Sequence, residues 1–162
     1  MAHSRKLSLL AAIFVVASCS VPSAKATEPP ADLCSLLPTA EVSKVLGKTY
    51  DAPQKSVAPR PFANTAEGTD CDYLATGRDK LWFRAYVDPS PSAAADLFAR
   101  LEKFYGPPTP VPGLGDEAYF DTRHGLHVRK GKVRFYLDLD VDFTPAVEKQ
   151  LKDLAGKLAG RL

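Results

Sequence analysis

Val133-Arg134-Phe135-Tyr136-Leu137-Asp138-Leu139-Asp140-Val141-Asp142-Phe143 alternates along its whole length. Val133, Phe135, Leu137, Leu139, Val141 and Phe143 fall on one side, and Arg134, Tyr136, Asp138, Asp140 and Asp142 on the other. Side chains of a strand point alternately to opposite faces, so this is the pattern of a strand with one buried face. Upstream, Glu117–Thr122 and Leu126–Lys130 read as two more strands, with Gly125 and Gly131 at turns where hairpins call for positive φ. Turns this short join antiparallel neighbours. Downstream, Thr144-Pro145 opens a helix that carries Val147, Leu151, Leu154, Leu158 and Leu162 on one stripe.

The earlier half repeats these signals more weakly. Thr39 is placed to cap a short helix through Glu41, Val42, Val45 and Leu46, with Gly47 as its stop. Cys71–Ala75 and Leu81–Val87 read as strands around a Gly77-Arg78-Asp79 turn. In the second, Leu81, Phe83, Ala85 and Val87 face one side, and Trp82, Arg84 and Tyr86 the other. Pro91 suits the first turn of a helix that runs to Tyr105, with Leu97, Phe98, Leu101, Phe104 and Tyr105 at helical spacing and Gly106 at its end. Residues 52–69 hold Pro53, Pro59, Pro61 and Gly68 without a period and read as a long surface loop. The stretch Pro107 to Gly115 is too rich in proline for a helix or a central strand. The expected order is α-ββ-α-βββ-α, an α+β fold. Its antiparallel sheet has about five strands, with helices on one face and water on the other.

Composition bounds the function. The chain has 162 residues, enough for one domain and a tail, with 45% apolar and 25% charged residues. Its 21 basic residues include Arg5, Lys6 and Lys25, so from residue 27 onward 18 basic residues face 19 acidic ones and the net charge is −1. A near-neutral body lacks the electrostatic footprint for nucleic acid.

The first 26 residues read as an address. Arg5 and Lys6 precede an apolar run of 11 residues, Leu7–Ala17. That is short of the roughly 20 residues a bilayer needs, and matches a signal-peptide core. Val16-Ala17-Ser18-Cys19 fits a bacterial lipobox, which makes Cys19 the expected lipid anchor. Ala24-Lys25-Ala26 offers a competing site for ordinary cleavage. Both exits export the remaining domain, residues 27–162, and both set Cys19 apart. Cys34 and Cys71 remain as an even pair in an oxidising compartment. A disulfide between them is expected. The alternatives are a metal pair, for which no CxxC or histidine partner stands nearby, and two buried thiols.

With these landmarks placed, the chain resembles exported bacterial lipoproteins of unknown function, of the actinobacterial type. The likeness rests on Cys19, on Cys34-Ser35-Leu36-Leu37 leading into Thr39-Ala40-Glu41-Val42 and Leu46-Gly47, and on Cys71-Asp72-Tyr73. Val111-Pro112-Gly113-Leu114-Gly115-Asp116-Glu117-Ala118-Tyr119 and the closing leucine helix complete it. The resemblance implies an envelope location, a Cys34–Cys71 bridge and a small α/β sandwich. It carries no reaction.

Three clusters are candidates for chemistry. If Arg123-His124-Gly125 is a hairpin loop, Asp121 stands opposite His127, and His127 opposite Arg134, in one row. A carboxylate beside an imidazole orients a general base or a metal ligand, and His124 is the nearest further donor. A solvated cross-strand pair is the plainer reading. Asp138, Asp140 and Asp142 on one strand face are spaced by roughly 6.5–7 Å, too far apart for one cation without help. Trp82, Arg84, Tyr86 and Tyr136 give the polar face aromatics beside arginine, the composition of a binding surface flanked by the 52–69 loop; the plainer reading is that this loop covers them. Nucleophile motifs and phosphate loops are absent from the sequence, and no catalytic residue, cofactor or resident metal is expected. The function expected is a non-enzymatic, lipid-anchored binding module that meets an envelope protein or component and touches the membrane only through its anchor. A small envelope hydrolase or metal enzyme using Asp121, His124 and His127 is the alternative, and a secreted enzyme inhibitor a third.

Overall fold

The alternation that starts at Val133 does form a strand, but the strand ends at Leu139. The Asp140 amide donates to the Lys80 carbonyl at 2.8 Å, and beyond it the neighbouring strand has no backbone left to pair with. Asp138, Asp140 and Asp142 therefore do not share one strand face. The computed structural model describes residues 28–162 apart from Arg78. The expected signal segment, both expected cleavage motifs and Cys19 lie outside the described residues.

In chain order the elements are a 3-10 turn Leu33–Leu36, α1 (Thr39–Leu46), β1 (Gln54–Ala58), β2 (Gly68–Leu74), β3 (Lys80–Val87) and α2 (Pro91–Tyr105). They continue with β4 (Thr109–Pro110), β5 (Glu117–Phe120), β6 (Leu126–Lys130), β7 (Val133–Leu139) and α3 (Pro145–Ala159). The seven strands form one antiparallel sheet in the order β1-β2-β3-β7-β6-β5-β4. The fold is α+β as expected, but the strand count is seven rather than about five. Both added strands are sheet edges. β1 takes the first part of the expected 52–69 loop; Gln54 to Val57 are exposed, so no alternation marks them. β4 includes Pro110, which an edge strand tolerates because its missing N–H faces no partner.

Side-chain caps start the two long helices. Ser90 Oγ accepts from the Ala93 amide at 3.1 Å, Thr144 Oγ1 accepts from the Val147 amide at 3.3 Å, and a proline follows each. Thr39 does not cap α1; Pro38 holds that position and makes no side-chain bond. Gly47 ends α1 in the left-handed region, at φ 71°.

The helices occupy both faces, which corrects the expected one-sided arrangement. α1 and α3 cover the apolar face, where Val42, Leu46, Leu151, Leu154 and Leu158 join Leu81, Phe83, Leu126, Val128 and Leu137 in one core. α2 lies on the opposite face, with Phe98 at 5.0 Å from Tyr119 and Tyr105 at 5.0 Å from His127, ring to ring. Cys34 and Cys71 form a disulfide with Cα atoms 5.7 Å apart, which ties the 3-10 turn to β2. The Tyr73 hydroxyl reinforces this by donating to the Leu37 carbonyl at 2.5 Å. No helix among the described residues is long and apolar enough to cross a membrane.

Candidate ligand cleft on the second sheet face

β3 and β7 pair so that Trp82 faces Asp138, Arg84 faces Tyr136 and Tyr86 faces Arg134. Arginine and tyrosine thus alternate as on a checkerboard, the two arginines on one diagonal and the two tyrosines on the other. Arg84 donates through Nε and Nη2 to the Asp70 carboxylate at 2.5 and 3.2 Å. Arg134 does the same to Asp88 at 2.5 and 3.1 Å, and both of these side chains are only 3% exposed. The Arg134 guanidinium also sits 4.9 Å above the Tyr86 ring, within cation–π range. The Tyr86 hydroxyl donates to the Pro59 carbonyl at 2.8 Å, so the 59–67 loop folds over this face. Trp82 is half-buried, with Lys80 4.9 Å from its ring.

The expected row of Asp121, His127 and Arg134 is corrected in register but not in side. His127 faces Tyr119 and Tyr136, because β5 and β6 join through Asp121–Gly125 and β6 and β7 turn at Gly131-Lys132. Each ladder is two residues from the expected pairing, and an even slip keeps every side chain on its face. The five-residue loop then brings Asp121 back: its Oδ2 lies 2.9 Å from His127 Nε2, while Oδ1 accepts from the amides of Arg123 and Gly125 at 2.8 and 3.0 Å. Positive φ in this loop belongs to His124, at 69°, not to Gly125. Gly125 is required for space, since a Cβ there would meet the Tyr136 ring at 2.2 Å.

His124 does not join the pair. Its ring stacks on Phe143 at 4.1 Å, and no group of three or more His, Cys, Asp or Glu side chains that could hold a metal ion occurs among the described residues. His127 is enclosed by the rings of Tyr119, Tyr105 and Tyr136, at 4.8, 5.0 and 4.8 Å.

Between α2, the 59–67 loop and this floor lies a cavity of about 190 Å³. Leu101 and Tyr105 of α2 form its roof, Pro61 closes one side, and Arg84, Tyr86, His127, Arg134 and Tyr136 contribute floor and wall. The volume suits a ring-sized group, being below the roughly 300 Å³ at which drug-sized pockets begin. Burial pushes the Tyr86 hydroxyl up to about 12 and the Tyr136 hydroxyl higher still, so both stay protonated near neutrality. Burial also raises Asp138, against the bond it accepts from the Tyr136 hydroxyl. For Asp121 burial is outweighed by the hydrogen bonds from His127, Arg123 and Gly125, and its carboxyl falls below the usual range. The wall contains no Ser, Thr, Cys or Lys. It can hold and orient a guest through arginine N–H groups and aromatic faces, and it presents no ready nucleophile.

Sequence reasoning placed Trp82, Arg84, Tyr86 and Tyr136 on one face, and they share it. The 52–69 loop, expected to flank or cover this face, does so through Pro59 and Pro61; Asp88 gives no sequence signal, standing in a connection before Pro89 without any pattern. Sequence reasoning assigned Tyr105 and Leu101 to the apolar stripe of their helix, where the sole signal is periodicity.

No protein-family model matches the chain, and no curated protein matches it by sequence. Its fold is similar to the extracellular domain of PknH from Mycobacterium tuberculosis, with a TM-score of 0.52 over 83% of this chain and 97% of that one, at 13% identity.

Proposed function

We propose that this is an exported, lipid-anchored protein of the cell envelope, and that its folded head is a non-enzymatic binding module. Trp82, Arg84, Tyr86 and Tyr136 supply the contact surface, and an envelope protein or component is the partner. The observation that carries the reading is the roofed cavity: arginines and tyrosines fixed by hydrogen bonds, with Arg134 and Tyr86 buried and Arg84 and Tyr136 half-buried, line a wall that offers no nucleophile. The Cys34–Cys71 disulfide supports export, because such bonds persist in oxidising compartments. The likeness to an extracellular domain points the same way. The anchor rests on Val16-Ala17-Ser18-Cys19.

Native mass spectrometry of the mature protein, extracted from its own envelope in mild detergent, tests both parts. The wild-type protein should carry diacylglycerol on Cys19 and a co-purifying species that an Arg84→Gln variant loses. A chain cleaved after Ala26 would overturn the anchor, and a co-purifying set identical in both proteins would overturn the cleft. The Asp121–His127 pair favours a second reading, hydrolysis by a water that the imidazole activates. That reading requires a turnover activity that His127→Gln abolishes while the fold persists.

A further inference from the structure

The floor of the cleft fixes two guanidinium groups in a way that selects a guest. Arg84 and Arg134 are diagonal neighbours on adjacent strands, a relation that sets their backbone positions about 7–8 Å apart and leaves long side chains within reach of one guest. Each is gripped on its Nε–Nη2 edge by its own carboxylate, Asp70 or Asp88, which fixes the plane of the group. The Nη1 hydrogens of both have no hydrogen-bond partner among the described residues. The two gripping carboxylates are not part of the cavity wall. Asp121 is on the wall, but its oxygens already accept from His127 and two backbone amides. The wall therefore offers guanidinium donors and little acceptor capacity from carboxylate.

Charge narrows the guest further. The Arg84–Asp70 and Arg134–Asp88 pairs are each neutral as units, and Arg123, also on the wall, has no carboxylate partner among the described residues. Asp121, its carboxyl held below the usual range, offsets Arg123, so a guest's charge is met by the two free guanidinium edges alone, which suits one negative charge better than two. The remaining space lies against Leu101 and the Tyr105 ring.

Resting on the reading of this cleft as a binding site, we propose that it takes a small organic monocarboxylate. The carboxylate bridges Arg84 and Arg134, and a ring or short apolar body lies under α2.

The test uses the detergent-solubilised mature protein labelled with 15N, titrated with benzoate, with its neutral isostere benzamide and with phenyl phosphate. Trp82 is the sole tryptophan and gives one indole N–H signal on this face. Benzoate should shift that signal, the Arg84 Nε–H and the amides of β3 and β7 in a saturable way. Benzamide and phenyl phosphate should each bind at least ten-fold more weakly. Arg84→Gln should weaken benzoate ten-fold or more in protein that still gives the dispersed amide spectrum of the folded state. Equal binding of benzoate and benzamide, tighter binding of phenyl phosphate, or shifts confined to other faces would overturn the proposal; the comparison on wild-type protein needs no variant to fold. If benzoate fails while Arg84→Gln still strips a co-purifying envelope species, the ligand class is wrong and the binding cleft stands. If both fail, the cleft itself is wrong.

Discussion

Arg134 and Asp88 are each 3% exposed and satisfy one another through two hydrogen bonds. Removing one member of such a pair leaves a buried charge without its counterpart, which typically costs about 3–5 kcal/mol. Asp88→Asn should therefore lower unfolding stability by about that amount in urea titration. A loss under 1 kcal/mol would mean the pair is more hydrated than its burial indicates. Asp138 acts with the opposite sign. Burial raises its carboxyl, so the folded chain holds the proton to higher pH than the unfolded chain does, and stability falls as pH rises from about 4 through the folded value. Asp138→Asn removes that loss while still accepting from Tyr136. Its melting temperature relative to wild type should be higher at pH 7 than at pH 3.5, and the reverse ordering would refute the account of this residue. Period-two alternation made the facing of Arg84, Tyr86, Tyr136 and Asp138 legible in advance. The burial of Arg134 and His127 was not, because polar residues on an alternating strand read as solvated and the element that covers them is distant in sequence.

At the scale of elements, β3, β6, β7, α2 and α3 were readable because each carries a long periodic pattern and a cap or turn signal. β1 was not, since an edge strand exposed at Gln54 to Val57 has no buried face to leave a pattern. The side on which α2 lies was also hidden. Its stripe of Leu97, Phe98 and Leu101 demands burial, yet the Asp88-Pro89-Ser90 connection is compatible with either face of the sheet. That one choice converts an open face into a cleft. The 3-10 turn is held differently, by the Cys34–Cys71 bond that closes a loop with a sequence separation of 37. The chain-entropy model rates such a loop at roughly 4 kcal/mol, and in a domain of this size reduction should lower the melting temperature by about 10–20 °C. Calorimetry with and without reductant checks this. An unchanged transition in protein shown by mass to be fully reduced would mean that packing alone positions the turn.

Across the whole molecule, the two faces of one sheet divide the labour. The face under α1 and α3 is closed by aliphatic side chains and carries most of the core. The face under α2 is closed by rings and ion pairs around a space, and the function proposed here depends on that difference. It is measured most directly by photo-crosslinking in the native cell, with benzoyl-phenylalanine in place of Trp82 on the cleft face or of Lys149, 75% exposed on α3. Position 82 should yield a light-dependent adduct, visible by intact mass and lost when Arg84→Gln is added, while position 149 yields none. An adduct from position 149 with none from position 82, or one at 82 that ignores the Arg84 change, would contradict the account.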